Sequence, residues 1–331
     1  MGMRLHGRQL LSIGGIVLVL AAQPGWTQLQ SEGMRNEPIR PIPLSHGQDP
    51  AKVELGARLF HDPRLSSDNS ISCANCHPLQ QAGVDGLSRS PGVGGALGTI
   101  NTPTVFNAGF NLTQFWDGRA HSLEEQVAGP IHNPLEMAST WEQVLPRLQQ
   151  DAYYQKKFAS IYGEPASARA IEDAIAAFER SLTTPDSAFD RWLRGDDQAL
   201  SEKAQRGYML FKSYGCIACH QGVNVGGNMY QVMGAMGDYF ADRGGKVTPD
   251  DLGRYNVTGI EADRHMFKVP SLRLAVLTAP YFHDAEAQTL EEAVQLMARY
   301  QLGRSIPDAE VDDILVFLRS LVGEHPALNA P

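Results

Sequence analysis

The sequence predicts a mainly α-helical protein made of two related units with long loops. Three observations predict it: a motif pair that occurs twice, two closing segments that match each other, and scarce strand patterns. In the first unit Gly56-Ala57-Arg58-Leu59-Phe60 precedes Cys73-Ala74-Asn75-Cys76-His77. In the second, Gly207-Tyr208-Met209-Leu210-Phe211 precedes Cys216-Ile217-Ala218-Cys219-His220. Both read G-x-x-L-F ahead of C-x-x-C-H. The closing segments are Phe178-Glu179-Arg180-Ser181-Leu182 and Phe317-Leu318-Arg319-Ser320-Leu321. Ile171, Ile175, Phe178 and Leu182 fall on one face at helical spacing, as do Val311, Ile314, Leu315, Leu318 and Leu321. Two copies of this order imply two domains of one type.

Taken from the N-terminus, Arg4 and Arg8 give a positive start, Leu10 to Leu20 an uncharged apolar run, and Ala21-Ala22-Gln23-Pro24-Gly25 a small-residue exit. That order predicts a secretory signal peptide over residues 1–27, and with it a periplasmic location. The apolar run is short for a bilayer span, so no membrane span is expected in the mature protein. Gln28 to Pro50 is rich in Pro, Gly and polar residues and reads as a leader strapped over the surface. Residues 28–185 are expected to form the N-terminal domain and 186–331 the C-terminal one. The join falls at Thr183-Thr184-Pro185-Asp186-Ser187, where proline and polar residues stop the helix. A chain of 331 residues has room for two domains, and 43% hydrophobic with 20% charged residues suits a globular protein. A formal net charge of -9 disfavours a general nucleic-acid binder, which needs a basic surface.

The repeated C-x-x-C-H carries the chemistry. Two thiols three positions apart share a helical turn and can form thioethers to the two vinyl groups of one porphyrin. The adjacent histidine then points under the ring to ligate iron. Cys73, Cys76 and His77, and Cys216, Cys219 and His220, are therefore expected to hold two covalent haem c groups, one in each cytochrome c-like domain. The two motifs consume all four cysteines. A thioredoxin-like pair would need a βαβ context that is missing, and a zinc site would need its pairs closer together. The sixth iron position decides between electron carriage and chemistry. In the second unit Met229, Met233, Met236, Met266 and Met297 are all candidates by type, and the residues alone do not choose among them.

Beyond these motifs the chain resembles the bacterial di-haem cytochrome c peroxidase family. The resemblance rests on Val53-Glu54-Leu55-Gly56, Asp62-Pro63-Arg64-Leu65-Ser66, Asn101-Thr102-Pro103-Thr104-Val105 and Gln114-Phe115-Trp116-Asp117-Gly118-Arg119. It continues through Pro270-Ser271-Leu272-Arg273 and Leu277-Thr278-Ala279-Pro280-Tyr281-Phe282-His283, and so spans the mature chain. It implies that the His77 haem is the peroxidatic site and the His220 haem the high-potential relay, with Met297 as sixth ligand. It implies Trp116 on the electron path, Glu136 as acid/base at the peroxide site and Gln126 as its hydrogen-bonding neighbour. It implies calcium held by Asn101, Thr278 and Pro280, and a homodimer. One departure stands out. The family commonly places a capping histidine in the loop matching Ser90-Pro91-Gly92-Val93-Gly94-Gly95-Ala96; here Val93 occupies its position, and the dense glycines suggest a mobile loop.

The expected function is reduction of hydrogen peroxide to water, with electrons from a small c-type cytochrome or cupredoxin. Two other readings compete: a pure electron-transfer di-haem cytochrome, and a di-haem oxidase that modifies another protein or small molecule. Met297 counts against the oxidase branch, which has tyrosine there; the Val93 site counts somewhat for it.

Overall fold

Each half of the chain closes where a glycine lets two helices touch. A β-carbon on Gly56 would lie 1.9 Å from the Ala174 carbonyl oxygen and 2.8 Å from the Phe178 β-carbon. On Gly207 it would lie 1.9 Å from the Asp313 oxygen and 3.0 Å from the Phe317 β-carbon. The G-x-x-L-F and F-x-R-S-L segments of each unit therefore cross in the same register, and only hydrogen at the glycine permits the approach.

The structure is a computed structural model that describes residues 1–2 and 34–328. Apart from its first two residues, the predicted signal peptide lies outside them. The helices are α1 (Pro50–Phe60), α2 (Cys73–Cys76), α3 (Leu123–His132), α4 (Trp141–Gln149), α5 (Ala152–Tyr162), α6 (Ala168–Ser181), α7 (Ala188–Leu193), α8 (Glu202–Tyr214), α9 (Tyr239–Arg243), α10 (Tyr255–Thr258), α11 (Leu290–Leu302) and α12 (Asp308–Arg319). Ser167 and Ser201 cap α6 and α8 by accepting from Ala170 and Ala204 N–H, which satisfies donors the helix leaves free. Among the described residues the only sheet is a two-stranded antiparallel one, β1 (Tyr230–Val232) with β2 (Met266–Lys268), in the register Gln231 opposite Phe267. The mainly helical expectation with long loops holds. No described helix is long and apolar enough to cross a membrane.

Two large apolar clusters follow from the two crossings. One gathers Leu55, Leu59 and Phe60 of α1, Tyr154 and Phe158 of α5, and Ile171, Ile175 and Phe178 of α6. The other gathers Phe189 and Leu193 of α7, Tyr208 and Phe211 of α8, and Val311, Ile314, Phe317 and Leu318 of α12. The helical faces read from spacing are the buried ones.

The chain ends cross over. Ile39 and Ile42 are fully buried, so the leader is a strap that also supplies core. It runs along the second half: Arg40 N–H donates to the Gly222 carbonyl (3.2 Å), Gly222 N–H returns to Pro38 (3.0 Å), and Glu37 accepts from the Tyr208 hydroxyl (2.8 Å). At the other end Val322, Ala327 and Leu328 pack on the first cluster, and the His325 ring meets Phe106 edge-on at 5.1 Å. Between α6 and α7 the chain leaves the helix where the proline predicted. Thr183, Thr184 and Ser187 of that join are nevertheless buried, and Thr184 exchanges hydrogen bonds with the Asn107 amide at 2.8 and 2.9 Å.

Candidate active site

The first C-x-x-C-H begins with a local cap. Asn75 Oδ1 accepts from the Ser72 N–H (2.8 Å) and hydroxyl (2.9 Å), closing the single turn of α2 that carries both thiols. His77 N–H bonds back to the Cys73 carbonyl (2.9 Å), just as His220 N–H bonds to Cys216 (3.0 Å). The four cysteines are free and half-buried. Burial pushes the Cys76 and Cys216 thiols up to about 11 and Cys73 further, opposite to the acidified thiol of a disulfide oxidoreductase.

Both histidines are held through the nitrogen that would not meet a metal. His77 Nδ1 lies 3.0 Å from the Gly83 carbonyl and His220 Nδ1 3.2 Å from that of Val225. A carbonyl can only accept, so Nδ1 carries the proton and Nε2 keeps its lone pair. Burial lowers both imidazoles, His220 to about 4, so each is neutral at neutral pH, as ligation requires. Neither Nε2 has a hydrogen-bond partner among the described residues. Gly226 packs so closely that a β-carbon would sit 2.2 Å from the Pro270 oxygen and 3.3 Å from His220 Nδ1. Paired thiols, an oriented imidazole and a free Nε2 fit covalent haem at both motifs.

Of the five methionines, Met236 is 64% exposed, which suits no buried ligand. Met297, on α11, packs with Trp116 and Phe282 against Met233, Tyr239, Phe240, Phe267 and Tyr300. Met233 is spoken for in part, its sulfur 3.5 Å from the Gln301 amide.

Trp116 is fixed at both ends. Its indole N–H donates to the Asn101 carbonyl (2.9 Å) and its own carbonyl accepts from Lys268 N–H (2.8 Å). Asn101 in turn donates its N–H to the His283 carbonyl (2.9 Å) and its amide to that of Leu87 (3.0 Å). Asn101 thus joins the first half to the 278–283 segment, in which Ala279–Pro280 is cis.

Glu136 follows α3. Asn133 Nδ2 donates to its Oε1 at 2.6 Å, and burial pushes the carboxyl above the usual range. Its backbone carbonyl accepts the Val93 N–H at 2.7 Å, and Gly92 is wedged against the Leu135 and Glu136 carbonyls. The glycine loop expected to be mobile is therefore tied at its base to the acid's own backbone. Its exposed residues are Pro91 and the tip, Gly94 and Gly95, while Gly92 is buried. Gln126 lies on α3, and its side-chain amide makes no hydrogen bond among the described residues, to Glu136 or otherwise.

Sequence reasoning missed one cluster. Ligand atoms of Asp251, His283 and Asp284 lie within 4.8 Å of one another. Arg243 already bridges them, at 2.9 Å to Asp251 and 2.7 Å to Asp284, and His283 Nε2 meets Asp251 at 2.8 Å. This is an ion network beside Trp116, whose ring faces His283 edge-on at 6.4 Å. No motif joins residues spread over some forty positions, so only the fold reveals it.

A mainly helical fold with two C-x-x-C-H sites fits the class of di-haem cytochromes, and the chain belongs to the di-haem cytochrome c peroxidase family. The profile of that family matches residues 50–198. The chain is 50% identical over 292 residues to cytochrome c peroxidase Ccp of Escherichia coli, a match covering 88% of this chain and 62% of that longer relative. To the cytochrome c551 peroxidase of Nitrosomonas europaea it is 46% identical over 89% of this chain and 87% of the relative. Among solved structures, a MauG-like protein associated with microbial copper homeostasis superposes with a TM-score of 0.76 at 28% identity, over 93% of this chain and 99% of that one.

Proposed function

We propose that the chain is a periplasmic di-haem cytochrome c peroxidase, reducing hydrogen peroxide to water with electrons from a small c-type cytochrome or cupredoxin. The observation that carries this reading is Glu136, a half-buried carboxyl held by Asn133, whose backbone carbonyl accepts from Val93 in the loop after the first haem-attachment motif. An electron carrier has no use for such a group. Cys73, Cys76 and His77 would hold one haem and Cys216, Cys219 and His220 the other, with Met297 as sixth ligand of the second. Bound there, haem supplies redox-active iron for peroxide reduction at the first site and electron relay at the second.

The chain's own residues do the rest. Glu136 accepts a proton from the near oxygen of bound peroxide and returns one to the departing oxygen. Asn133 holds the carboxyl in place, and Gln126 is assigned as its neighbour toward substrate. Trp116, clamped at Asn101 and Lys268, is a rigid aromatic between the halves on the electron path. Asn101, Thr278 and Pro280 offer oxygen ligands suited to calcium, which would stiffen the same junction. Homodimerisation, the domain boundary near residue 185 and the periplasmic location belong to the same proposal. Val93 keeps the di-haem oxidase reading in play, because it leaves the first site without a capping imidazole from its loop.

Steady-state turnover of peroxide with a reduced c-type cytochrome or cupredoxin tests the proposal, alongside denatured mass. Two covalent haems and sustained turnover are expected; two haems without turnover would leave the protein an electron carrier or an oxidase.

A further inference from the structure

At one position buried in both units, a carboxyl in the first stands against an apolar side chain in the second. Because Gly56 meets Phe178 as Gly207 meets Phe317, the next residues coincide: Glu179 stands in the first unit where Leu318 stands in the second. Both are buried, at 5% and 3% exposure. Leucine there is ordinary core. A carboxyl there forfeits its hydration, and such groups persist when they are paired or functional.

Glu179 is unpaired. The other buried charged side chains all have partners: Asp62 with Arg64 and Tyr154, Asp190 with Arg273, Asp251 with Arg243 and His283, and Lys268 with the Thr113 carbonyl. Among the described residues no hydrogen bond reaches the Glu179 carboxyl. Its neighbour Arg180 is turned away into a bidentate pair with Glu124 of α3, at 2.6 and 2.8 Å. Cys73, the first thioether-forming cysteine, packs on the same apolar cluster as Ile175 and Phe178, the residues of α6 that flank Glu179.

We propose that Glu179 is the proton acceptor coupled to reduction of the first haem unit, taking up one proton from solvent when that unit gains one electron. The electron comes from the external donor protein. Proton and electron then leave together to peroxide, so that two such transfers turn one peroxide into two waters. The proposal rests on the reading that the Cys73–His77 motif carries haem; it does not need peroxide turnover to be tested.

The surroundings permit this exchange. Burial pushes the carboxyl up to about 8, so it exchanges its proton around that pH and answers there to a charge added nearby. The charged or titratable groups around it are few. From α3 come Glu124, paired with Arg180, and His132, which faces Glu172. From α1 come the Lys52–Asp173 pair and His61, whose ring meets Phe178; from α2 comes the Cys73 thiol, which haem attachment consumes.

Potentiometric titration of the holoprotein, followed by the absorbance of each haem at several pH values, tests it. In the parent, the reduced-to-oxidised ratio of the first haem at fixed potential should fall as pH rises, approaching about tenfold per pH unit in the window where Glu179 exchanges its proton. The second haem should not show that dependence. Glu179→Gln, which keeps the shape, and Glu179→Leu, which copies the second unit, should both abolish it at the first haem while denatured mass still shows two haems. An unchanged pH dependence in either variant overturns the proposal. Loss of the first haem from the parent itself would instead overturn the haem reading on which it stands.

Discussion

Gly207→Ala sets two effects of opposite sign against each other. In an open helix the change would stabilise by about 1 kcal/mol, because alanine loses less backbone freedom on folding. Here the added methyl would lie 1.9 Å from the Asp313 oxygen and 3.0 Å from the Phe317 β-carbon. Both neighbours are fixed near the backbone, so no side-chain rotation relieves the clash. α8 and α12 must part by an ångström or more, which loosens Tyr208, Phe211, Phe317 and Leu318 together. Overpacking of a well-filled core costs about 1–3 kcal/mol, and a backbone clash belongs at or above the upper end. The net expectation is a loss of about 2 kcal/mol, or a fall in Tm of roughly 3 °C for a chain of this size. Gly56→Ala should behave alike, its contacts being 1.9 and 2.8 Å. Thermal unfolding followed by far-UV circular dichroism on the haem-loaded protein reads the result. A rise in Tm for either variant would show that propensity outweighs the crossing, and would falsify the shared register on which the equivalence of Glu179 and Leu318 depends.

The remaining predictions concern chemistry. Glu136→Ala should leave both haems attached and slow peroxide turnover by about 10²-fold or more, checked by steady-state kinetics; an unchanged rate removes Glu136 from the mechanism. Because burial raises the Glu136 carboxyl, its ionised, proton-accepting form is lost at a higher pH than for an exposed glutamate. Turnover should therefore drop as pH falls through that raised value, and Glu136→Gln should erase the limb. Met297→Ala should lower the potential of the second haem by removing a thioether, while Met236→Ala, at an exposed site, should leave it in place. Electron paramagnetic resonance of the fully oxidised protein should show a high-spin or water-ligated first haem that reacts with peroxide without prior reduction, since a site without a cap binds with its whole population. A bis-histidine signal would mean that another imidazole, from His61, His121 or His132, caps it.

What could be read from the sequence was what chemistry forces into neighbouring positions. Haem attachment needs two thiols and an imidazole within five residues, so Cys73–His77 and Cys216–His220 announce themselves. Helix faces repeat every 3.6 residues, so α6 and α12 were visible too. The Trp116–Asn101–His283 chain and the Arg243 network were not, because their members meet only through tertiary contacts between loops. Val93 could be read as a missing ligand but not as a donor to Glu136, since a backbone N–H leaves no trace in residue type. Glu179 was legible in principle: aligning F-E-R-S-L with F-L-R-S-L exposes the odd carboxyl, but its burial had to be seen to give it meaning.

The crossed chain ends have a consequence for how the protein is made. The first core is finished by Ala327 and Leu328, made long after its own helices, and the second is overlaid by Glu37–Ile42, made long before its own. Neither half can reach its final packing while the other is still missing, so the molecule cannot be completed in the order in which it is synthesised. Loading of the two porphyrins is then expected before closure, on a chain whose motifs are still open to the attachment machinery. The last step of assembly would be the mutual latching of head and tail. Removing Val322 to Leu328 would strip the first unit of its cover, far in sequence from the first C-x-x-C-H motif.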